Sequence, residues 1–295
     1  MSYVEAEIAS QPQCWRDAAE LASTSASVLP APGERVAVLG CGTSLFMAQA
    51  YAALREHAGL GESDPFAASE APLARAYDRV LVISRSGTTT EVLDALAALA
   101  GRVPTVALTA DPTTPIMDAA DKTVVLAFAD ERSVVQTRFA TSALTLLRAS
   151  LGADVSASVA DAQRALDTPL PDGAAERTQF TFLGRGWTVG LAAEGALKLR
   201  EAACAWTESY PAMEFRHGPI SVTDANSVVW MLGDVPPGLV EDVRAAGALA
   251  VTSQLDPLAD LVRVQRLAVA VATARGLDPD NPRNLTRSVI LPSGA

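Results

Sequence analysis

One short pattern occurs in each half of this chain, and it restricts the folds that the chain can adopt. Arg35–Ser44 is an apolar run that ends in Gly-x-Gly-Thr-Ser, and Gln179–Thr188 repeats the design with Gly-x-Gly-Trp-Thr. Ala-rich segments with helical spacing, Leu45–Glu56 and Val189–Cys204, follow them. A strand, a glycine turn and a helix open a βα unit of a parallel sheet. The repeat predicts an α/β fold with two tandem, doubly wound parallel β-sheets flanked by helices.

Further apolar runs continue this scheme in both halves. Arg79–Ser84 is apolar without alternation up to its last residue, which is typical of a buried parallel strand. The other predicted strands are Thr105–Leu108, Thr123–Phe128, Ser227–Leu232 and Ala248–Thr252. The other predicted helices are Thr90–Leu99, Thr137–Ser150, Gly238–Gly247 and Leu261–Arg275.

Helix-breaking residues suggest where the two halves separate. Proline and glycine recur over 167–173, which predicts a linker near Gly152–Thr178. We expect a first domain over residues 1–160, including an N-terminal helix, and a second over 161–295 with an irregular C-terminal tail. Within that tail, Leu285–Leu291 is expected to follow the surface or to add an edge strand.

Composition excludes several classes of protein. Hydrophobic residues make up 49% of the 295 residues, enough for large cores, and the net charge of −11 argues against a nucleic-acid or membrane partner. We expect a cytoplasmic protein, because neither a long apolar span nor a signal peptide is evident. The cysteines, Cys14, Cys41 and Cys204, are widely spaced, and the histidines are His57 and His217. We therefore expect no metal site and no cofactor.

A hydroxyl-rich loop lies between a predicted strand and a predicted helix. Ser84, Ser86 and Thr89 surround Gly87 there. Their hydroxyls, together with backbone N–H groups at the start of the helix, could hold a phosphate, and glycine allows close approach. The alternative is an ordinary helix cap, which needs only one such hydroxyl. The loop is not a Walker A sequence, so a small phosphorylated metabolite is favoured over a nucleotide.

Several motifs in this order resemble one family, the sugar isomerase (SIS) family, and within it the isomerase half of glucosamine-6-phosphate synthase. They are Gly40–Ser44, Ser84–Thr89, Glu194–Glu201, Phe215–Pro219 and Asn281–Val289, supported by Glu5, Ile8, Gln11, Pro12 and Ala68–Glu70. The glutamine-hydrolysing domain is expected to be absent, so a full glutamine-dependent synthase is not predicted.

The resemblance implies a division of labour among site residues. It implies that Ser44, Ser84, Ser86 and Thr89 hold the phosphate and that Val134 lies near the sugar hydroxyls. In the second half, 232–237 contains an acid and two prolines at the corresponding position. We therefore expect one phosphate site per chain.

The resemblance also implies the catalytic groups. Glu201 matches the family's proton-transfer carboxylate, and His217 its ring-opening histidine, which a neighbouring subunit of a homodimer with shared active sites would supply. One carboxylate can move a proton between C2 and C1 through a cis-enediol, and a histidine suits ring opening. Glu194 and Lys198 share a helix face with Glu201, and we assign them positioning roles. The alternative is a solvated ladder of charges on that face.

Three substitutions separate this chain from the synthase pattern. Arg287 replaces a lysine that can form a Schiff base, which arginine cannot usefully form. Arg85 replaces a glutamine and is expected to add charge beside the phosphate. Gln136 replaces a serine near the sugar. The stretch Val251–Arg275 is also short, which suggests a missing strand or cap.

Three functions remain open. The first is a phosphosugar isomerase that acts on a hexose or amino-hexose 6-phosphate. The second is an amino-sugar-phosphate deaminase or deglycase, and the third is a sensor that binds a sugar phosphate without turnover. Glu201 and His217 together favour an enzyme, because a sensor does not need the pair. The expected partner is a small phosphosugar.

Overall fold

The structure, a computed structural model, describes residues 2–292 and has an α/β architecture of parallel sheets flanked by helices. The backbone forms two compact units. What we call the first unit contains Gln13–Val155 and the described residues from Thr286 onward; the second unit contains Ser156–Leu285 and the described residues up to Pro12. Both units thus combine segments that are distant in sequence, whereas the division into 1–160 and 161–295 is continuous. That division stays a prediction about domains.

The first unit is built on five parallel strands in the order β2-β1-β3-β4-β5. In the register of this sheet, Val36 lies opposite Ser63 on one side and Arg79 on the other. Its strands are β1 (Val36–Gly40), β2 (Ser63–Ala67), β3 (Arg79–Ile83), β4 (Thr105–Thr109) and β5 (Lys122–Val125). Strands β1, β3 and β4 are almost wholly buried, in keeping with their continuous apolar sequences.

The second unit repeats this order with four parallel strands, β7-β6-β8-β9. They are β6 (Gln179–Gly184), β7 (Thr207–Pro211), β8 (Ser227–Leu232) and β9 (Leu249–Val251). The described part of this sheet has no counterpart of β5, which agrees with the short sequence noted between Val251 and Arg275.

Helices cover the sheets. They are α1 (Tyr3–Ala9), α2 (Gln11–Ser25), α3 (Thr43–His57), α4 (Thr90–Leu99), α5 (Ile116–Ala119), α6 (Arg138–Ser150), α7 (Ser156–Asp167), α8 (Thr188–Ala203), α9 (Leu239–Ala245) and α10 (Pro257–Ala274). Helix α4 shows why they form: Val92, Leu96 and Leu99 repeat at helical spacing and are buried. They join Val80 and Val82 of the sheet in one apolar core. No helix within residues 2–292 is long and apolar enough to cross a membrane.

The glycine turns that begin the repeated pattern have the same geometry in both units. A β-carbon added to Gly40 would lie 2.5 Å from backbone of the following helix, and one added to Gly184 would lie 2.2 Å from it. Gly42 and Gly186 have positive φ angles of 54° and 57°. Each first glycine allows close strand–helix contact, and each second one allows the left-handed turn.

Two expectations need correction, and a third had two alternatives of which the structure shows one. The strand predicted over Thr123–Phe128 starts at Lys122 and ends at Val125, and a short 3-10 helix, Ala127–Ala129, follows it. The predicted linker contains a 12-residue helix, α7, which ends at Asp167 where the helix-breaking residues begin. Of the two alternatives expected for Leu285–Leu291, the structure shows irregular chain with mostly exposed side chains along the surface and no edge strand.

Candidate functional site

The predicted phosphate loop of the first unit connects β3 to α4. Ser84 follows the last residue of β3, and Thr89 immediately precedes α4. Between them Gly87 has φ +63°, and a β-carbon there would lie 2.1 Å from Thr114 Oγ1. The loop conformation therefore requires glycine at this position.

Side chains of this loop line a small pocket at the carboxyl ends of β1 and β3. The lining residues are Cys41, Ser44, Ile83, Ser84, Arg85, Ser86, Thr89, Val92, Gln136 and Arg287. The predicted phosphate-binding hydroxyls thus come together, although Ser44 and the loop are 40 residues apart in sequence. In open α/β sheets, ligands bind at this edge. Burial raises the pKa of the Cys41 thiol, so this lining residue stays uncharged at neutral pH.

The hydroxyls of the pocket have few partners within the protein. Ser44 and Ser84 are buried, yet their hydroxyls hydrogen-bond to no residue of 2–292. Ser86 Oγ and Thr89 Oγ1 lie 3.4 Å apart, and Ser86 Oγ also accepts a bond from Thr88 N–H at 3.3 Å. These groups can therefore bond to a ligand or to water in the pocket.

The helix-cap alternative does not describe this loop. Thr89 occupies the cap position of α4, but its side chain makes no capping hydrogen bond. Among the described residues, the backbone N–H groups of Ser86, Gly87 and Thr89 have no acceptor. Unpaired N–H groups and hydroxyls at a helix N-terminus form a site suited to an anion.

The second unit provides an internal comparison for Ser44. Thr188 occupies the corresponding position, four residues after the first glycine of the turn. Its hydroxyl donates to the Leu232 carbonyl at 2.8 Å and accepts from Arg185 N–H at 2.8 Å. After Leu232 the chain continues through Gly233 and two prolines, without a hydroxyl loop. The same backbone design thus leaves the Ser44 hydroxyl available in the first unit, whereas the hydroxyl of its counterpart Thr188 is bonded within the second unit.

Arg85 lies in the pocket lining but directs its charge at protein groups. Its guanidinium donates to the carbonyls of Ser133 at 2.9 Å, Val134 at 3.3 Å and Arg287 at 2.8 Å. The same group lies 3.7 Å from the carboxylate of Glu131. These contacts connect the phosphate loop to two other segments of the first unit.

The C-terminal tail lies against the loop and α4. Thr88 Oγ1 bonds to Ser288 Oγ at 2.9 Å, and Thr90 N–H donates to the Val289 carbonyl at 3.1 Å. The Arg287 side chain donates to the Glu131 carbonyl at 2.6 Å and pairs with Asp130 at 2.5 Å. Arg287 therefore combines a place in the pocket lining with an ion pair to an acidic neighbour.

Val134 and Gln136 lie on the segment that leads into α6. Both side chains are partly buried, and Gln136 lines the pocket. The Gln136 Oε1 atom is buried without a hydrogen-bond partner among the described residues. An amide placed this way can bond to a hydroxyl of a ligand.

The three predicted charged residues of the second unit lie together on α8. Lys198 Nζ is 3.3 Å from Glu194 Oε1 and 2.5 Å from Glu201 Oε2. Glu194 and Lys198 side chains are each 1% exposed, whereas that of Glu201 is 19% exposed. A solvated ladder is therefore the wrong description. The cluster is a buried ion pair with one accessible carboxylate at its end.

His217 lies at the end of a short 3-10 helix, Glu214–His217, and is exposed. Its neighbour Arg216 is held by Asp242 at 2.7 Å and by the Pro237 carbonyl at 2.9 Å. No group of three or more metal-binding side chains occurs within residues 2–292.

Comparisons with known proteins relate the chain to sugar-phosphate enzymes. The sequence model of the SIS domain matches residues 31–151. A glutamine–fructose-6-phosphate aminotransferase (isomerizing) from Pyrobaculum aerophilum is 30% identical over 96% of this chain and 56% of its own length, and one from Xylella fastidiosa is 28% identical over 97% and 58%. The chain thus spans little more than half the length of these relatives.

Solved structures share the fold at lower sequence identity. A glucosamine-6-phosphate deaminase from Thermotoga maritima has a TM-score of 0.83 at 22% identity, covering 98% of this chain and 100% of that one. A tagatose-6-phosphate ketose/aldose isomerase from Escherichia coli has a TM-score of 0.80 at 18% identity, covering 99% and 97%. The resemblance predicted from the sequence is confirmed: residues 31–151 match the SIS domain, and similar relatives and solved structures extend the likeness over nearly the whole chain.

Proposed function

We propose that this chain is a phosphosugar isomerase that acts on a hexose or amino-hexose 6-phosphate, and that its two units are tandem SIS domains. The pocket of the first unit holds the phosphate through Ser44, Ser84, Ser86 and Thr89. No full glutamine-dependent synthase reaction is proposed for the chain.

One observation carries the proposal: the hydroxyls of Ser44 and Ser84 and several backbone N–H groups of the loop have no hydrogen-bond partner among residues 2–292. Ser44 hydrogen-bonds to no residue of 2–292, whereas its counterpart Thr188 bonds to Leu232 and Arg185. Hydroxyls and N–H groups that face a pocket without partners in the protein are completed by water or by a ligand. Unpaired N–H groups and hydroxyls at a helix N-terminus match a phosphate.

Glu201 is proposed as the proton shuttle. Its Oε2 is held by Lys198 at 2.5 Å, while its Oε1 has no hydrogen-bond partner among residues 2–292. In the proposed reaction this carboxylate takes the proton from C2 of the open-chain sugar and returns it to C1 through a cis-enediol. Lys198 and Glu194 orient it, because a fixed cation restricts the rotamers of the carboxylate that it pairs with.

His217 is proposed to open the sugar ring by moving a proton between the ring oxygen and the anomeric hydroxyl. The side chain is exposed in the single chain, which agrees with its donation to a neighbouring subunit in a homodimer with shared active sites.

A deaminase or deglycase of amino-sugar phosphates is the second candidate. Arg287 stands where the synthase pattern has a lysine that can form an imine, and its guanidinium is paired with Asp130 at 2.5 Å; this disfavours the synthase reaction and leaves the deaminase as a candidate beside the isomerase. Such a reaction releases an amine from the substrate and would use the same phosphate pocket and the same carboxylate.

Proton NMR in deuterated water separates these candidates. The chain is incubated with glucose, fructose, galactose, glucosamine and galactosamine 6-phosphates. Exchange of hydrogen is followed at C2 of the aldose phosphates and at C1 of fructose 6-phosphate, and release of ammonia is measured in parallel. We expect C2 exchange that Glu201→Gln abolishes and that Glu241→Gln, a change of an exposed α9 carboxylate, leaves intact.

Other outcomes decide against the isomerase. Ammonia release from an amino-sugar phosphate, with no aldose–ketose exchange of the sugar phosphates that lack an amine, would establish the deaminase. Tight binding without exchange for every sugar would identify a sensor. If no sugar phosphate binds at millimolar concentration, the phosphosugar assignment itself is wrong.

A further inference from the structure

A buried ion pair lies behind the phosphate loop. The side chains of Arg85 and Glu131 are 1% and 0% exposed, and the guanidinium and carboxylate are 3.7 Å apart. A charged pair removed from water this completely is costly unless both groups have further hydrogen bonds. Those further bonds show which parts of the site the pair holds.

Glu131 fixes the start of α6. Its Oε1 accepts hydrogen bonds from Thr137 N–H at 2.5 Å, Thr137 Oγ1 at 2.8 Å and Arg138 N–H at 2.8 Å. Because Gln136 immediately precedes these residues, the bonds set the backbone from which its amide enters the pocket lining. Glu131 thus acts as a helix cap supplied from six residues earlier in the chain.

Arg85 connects the remaining segments. Its planar guanidinium donates to Ser133 and Val134 on one side and to the Arg287 carbonyl on the other. Arg287 in turn donates to the Glu131 carbonyl at 2.6 Å. The phosphate loop, the segment before α6 and the C-terminal tail therefore meet at one guanidinium.

We propose that Arg85 and Glu131 form a positioning pair that sets the shape of the phosphate pocket, and that Arg85 does not serve as a phosphate ligand. The proposal rests on the proposed function for the identity of the ligand. It predicts that the affinity for the phosphosugar depends on the planar arrangement of the Arg85 N–H donors and not on the charge of Arg85. Glu131 offsets that charge, and the three carbonyls accept from Nη1 and Nη2 of the guanidinium.

Substitutions that separate charge from geometry test this proposal. Lysine keeps the charge of Arg85 but cannot reach several carbonyls in one plane, and glutamine removes the charge. We expect Arg85→Lys and Arg85→Gln to weaken glucose 6-phosphate binding to a similar extent, about tenfold, in calorimetric titrations. Arg16→Gln, a change of an exposed arginine on α2, serves as the control and should bind as wild type.

If Arg85→Lys keeps wild-type affinity within twofold while Arg85→Gln loses it, Arg85 contacts the phosphate through its charge and the proposal is overturned. The Arg85→Gln/Glu131→Gln double variant addresses folding, since it leaves no unpaired buried charge. It should be more stable than either single glutamine variant and should still bind weakly, because the fork remains absent.

Hydrogen exchange without ligand provides an independent readout. Amides in the segments 131–138 and 286–292 should exchange at least fivefold faster in the Arg85 and Glu131 variants than in wild type, with no change in the second unit. Unchanged exchange in these segments would refute the positioning role. The exchange rates do not depend on which sugar binds. If no sugar phosphate binds but the variants still exchange faster than wild type, the proposed function fails and the positioning role stands.

Discussion

Replacement of Gly87 by alanine should destabilise the first unit through two separate effects. The residue has φ +63°, and the left-handed conformation costs a residue with a β-carbon about 1–2 kcal/mol. The added carbon would also lie 2.1 Å from Thr114 Oγ1 and 2.7 Å from Ile116 Cγ2. Overpacking of this kind costs about 1–3 kcal/mol. Thr114 and Ile116 lie between β4 and the body of α5, so their backbone has to shift to make room for the added carbon. The sum predicts a loss of about 2–5 kcal/mol.

Gly101 is a matched control for the backbone effect. It lies after α4, as Gly87 lies before it, and has a similar φ of +69° with nothing within 4 Å of an added β-carbon. Gly101→Ala should therefore cost only the conformational part, about 1–2 kcal/mol. The difference between the two variants isolates the steric part.

Urea unfolding followed by circular dichroism measures both losses, and calorimetry with glucose 6-phosphate measures binding under native conditions. Gly87→Ala should have the lower midpoint and should lose most of its phosphate affinity, since relief of the contact moves the loop. Gly101→Ala should bind as wild type. Equal midpoints for the two variants would refute the reasoning, because the close contact would then have no energetic consequence.

Three further predictions use other parts of the first unit. Ser44→Ala should weaken glucose 6-phosphate binding at least tenfold in calorimetry, because a hydrogen bond to a charged group contributes about 1.5–3 kcal/mol. The thermal midpoint of the variant should not fall. The hydrogen bond from Arg79 lowers the pKa of Glu34 in the folded protein. The stabilisation that this carboxylate gives is therefore present above its unfolded-state pKa of about 4.3, and it is lost as pH falls through the lower folded-state pKa. Glu34→Gln should therefore be less stable than wild type near neutral pH by up to about 1 kcal/mol, and a gap that persisted in urea titrations near pH 2 would contradict this. Because burial raises the pKa of Cys41, its alkylation by iodoacetamide should be slow at neutral pH, and bound glucose 6-phosphate should slow it further; exposed Cys204 is the internal reference in mass spectrometry.

The fold could be predicted where sequence pattern and local geometry agree. The strands that start the repeated pattern are continuous apolar runs, and both were found. Strands β2 and β7 were missed, because Ser63–Ala67 contains Asp and Pro and Thr207–Pro211 ends in Pro. Both are edge strands, where proline and polar residues are tolerated, so only their neighbours in the sheet identify them as strands.

The site was predictable as a set of hydroxyls but not as a network. The position of Ser84, Ser86 and Thr89 after a strand was enough to place their hydroxyls at one end of the sheet, where they line one pocket; their binding of a phosphate stays a prediction. The role of Glu131 was missed, because it depends on contact with Arg85, 46 residues earlier in the chain. For the same reason the sequence suggested that Arg85 adds charge beside the phosphate, whereas the structure shows its donors on three carbonyls.

The two units show what converts a common βα design into a binding site. Both have a glycine turn after the strand that starts the repeated pattern, β1 or β6, and a hydroxyl four residues after the first glycine of that turn. The Thr188 hydroxyl finds an acceptor in Leu232, whereas the Ser44 hydroxyl finds none among the described residues. The first sheet also has a fifth strand, β5, and the chain after it supplies Glu131 and the pocket wall that the described second sheet lacks. A structure adapted only for stability would satisfy these buried hydroxyls internally, as the second unit does. Their availability in the first unit, next to a wall held by a buried ion pair, is therefore better explained by ligand binding than by packing.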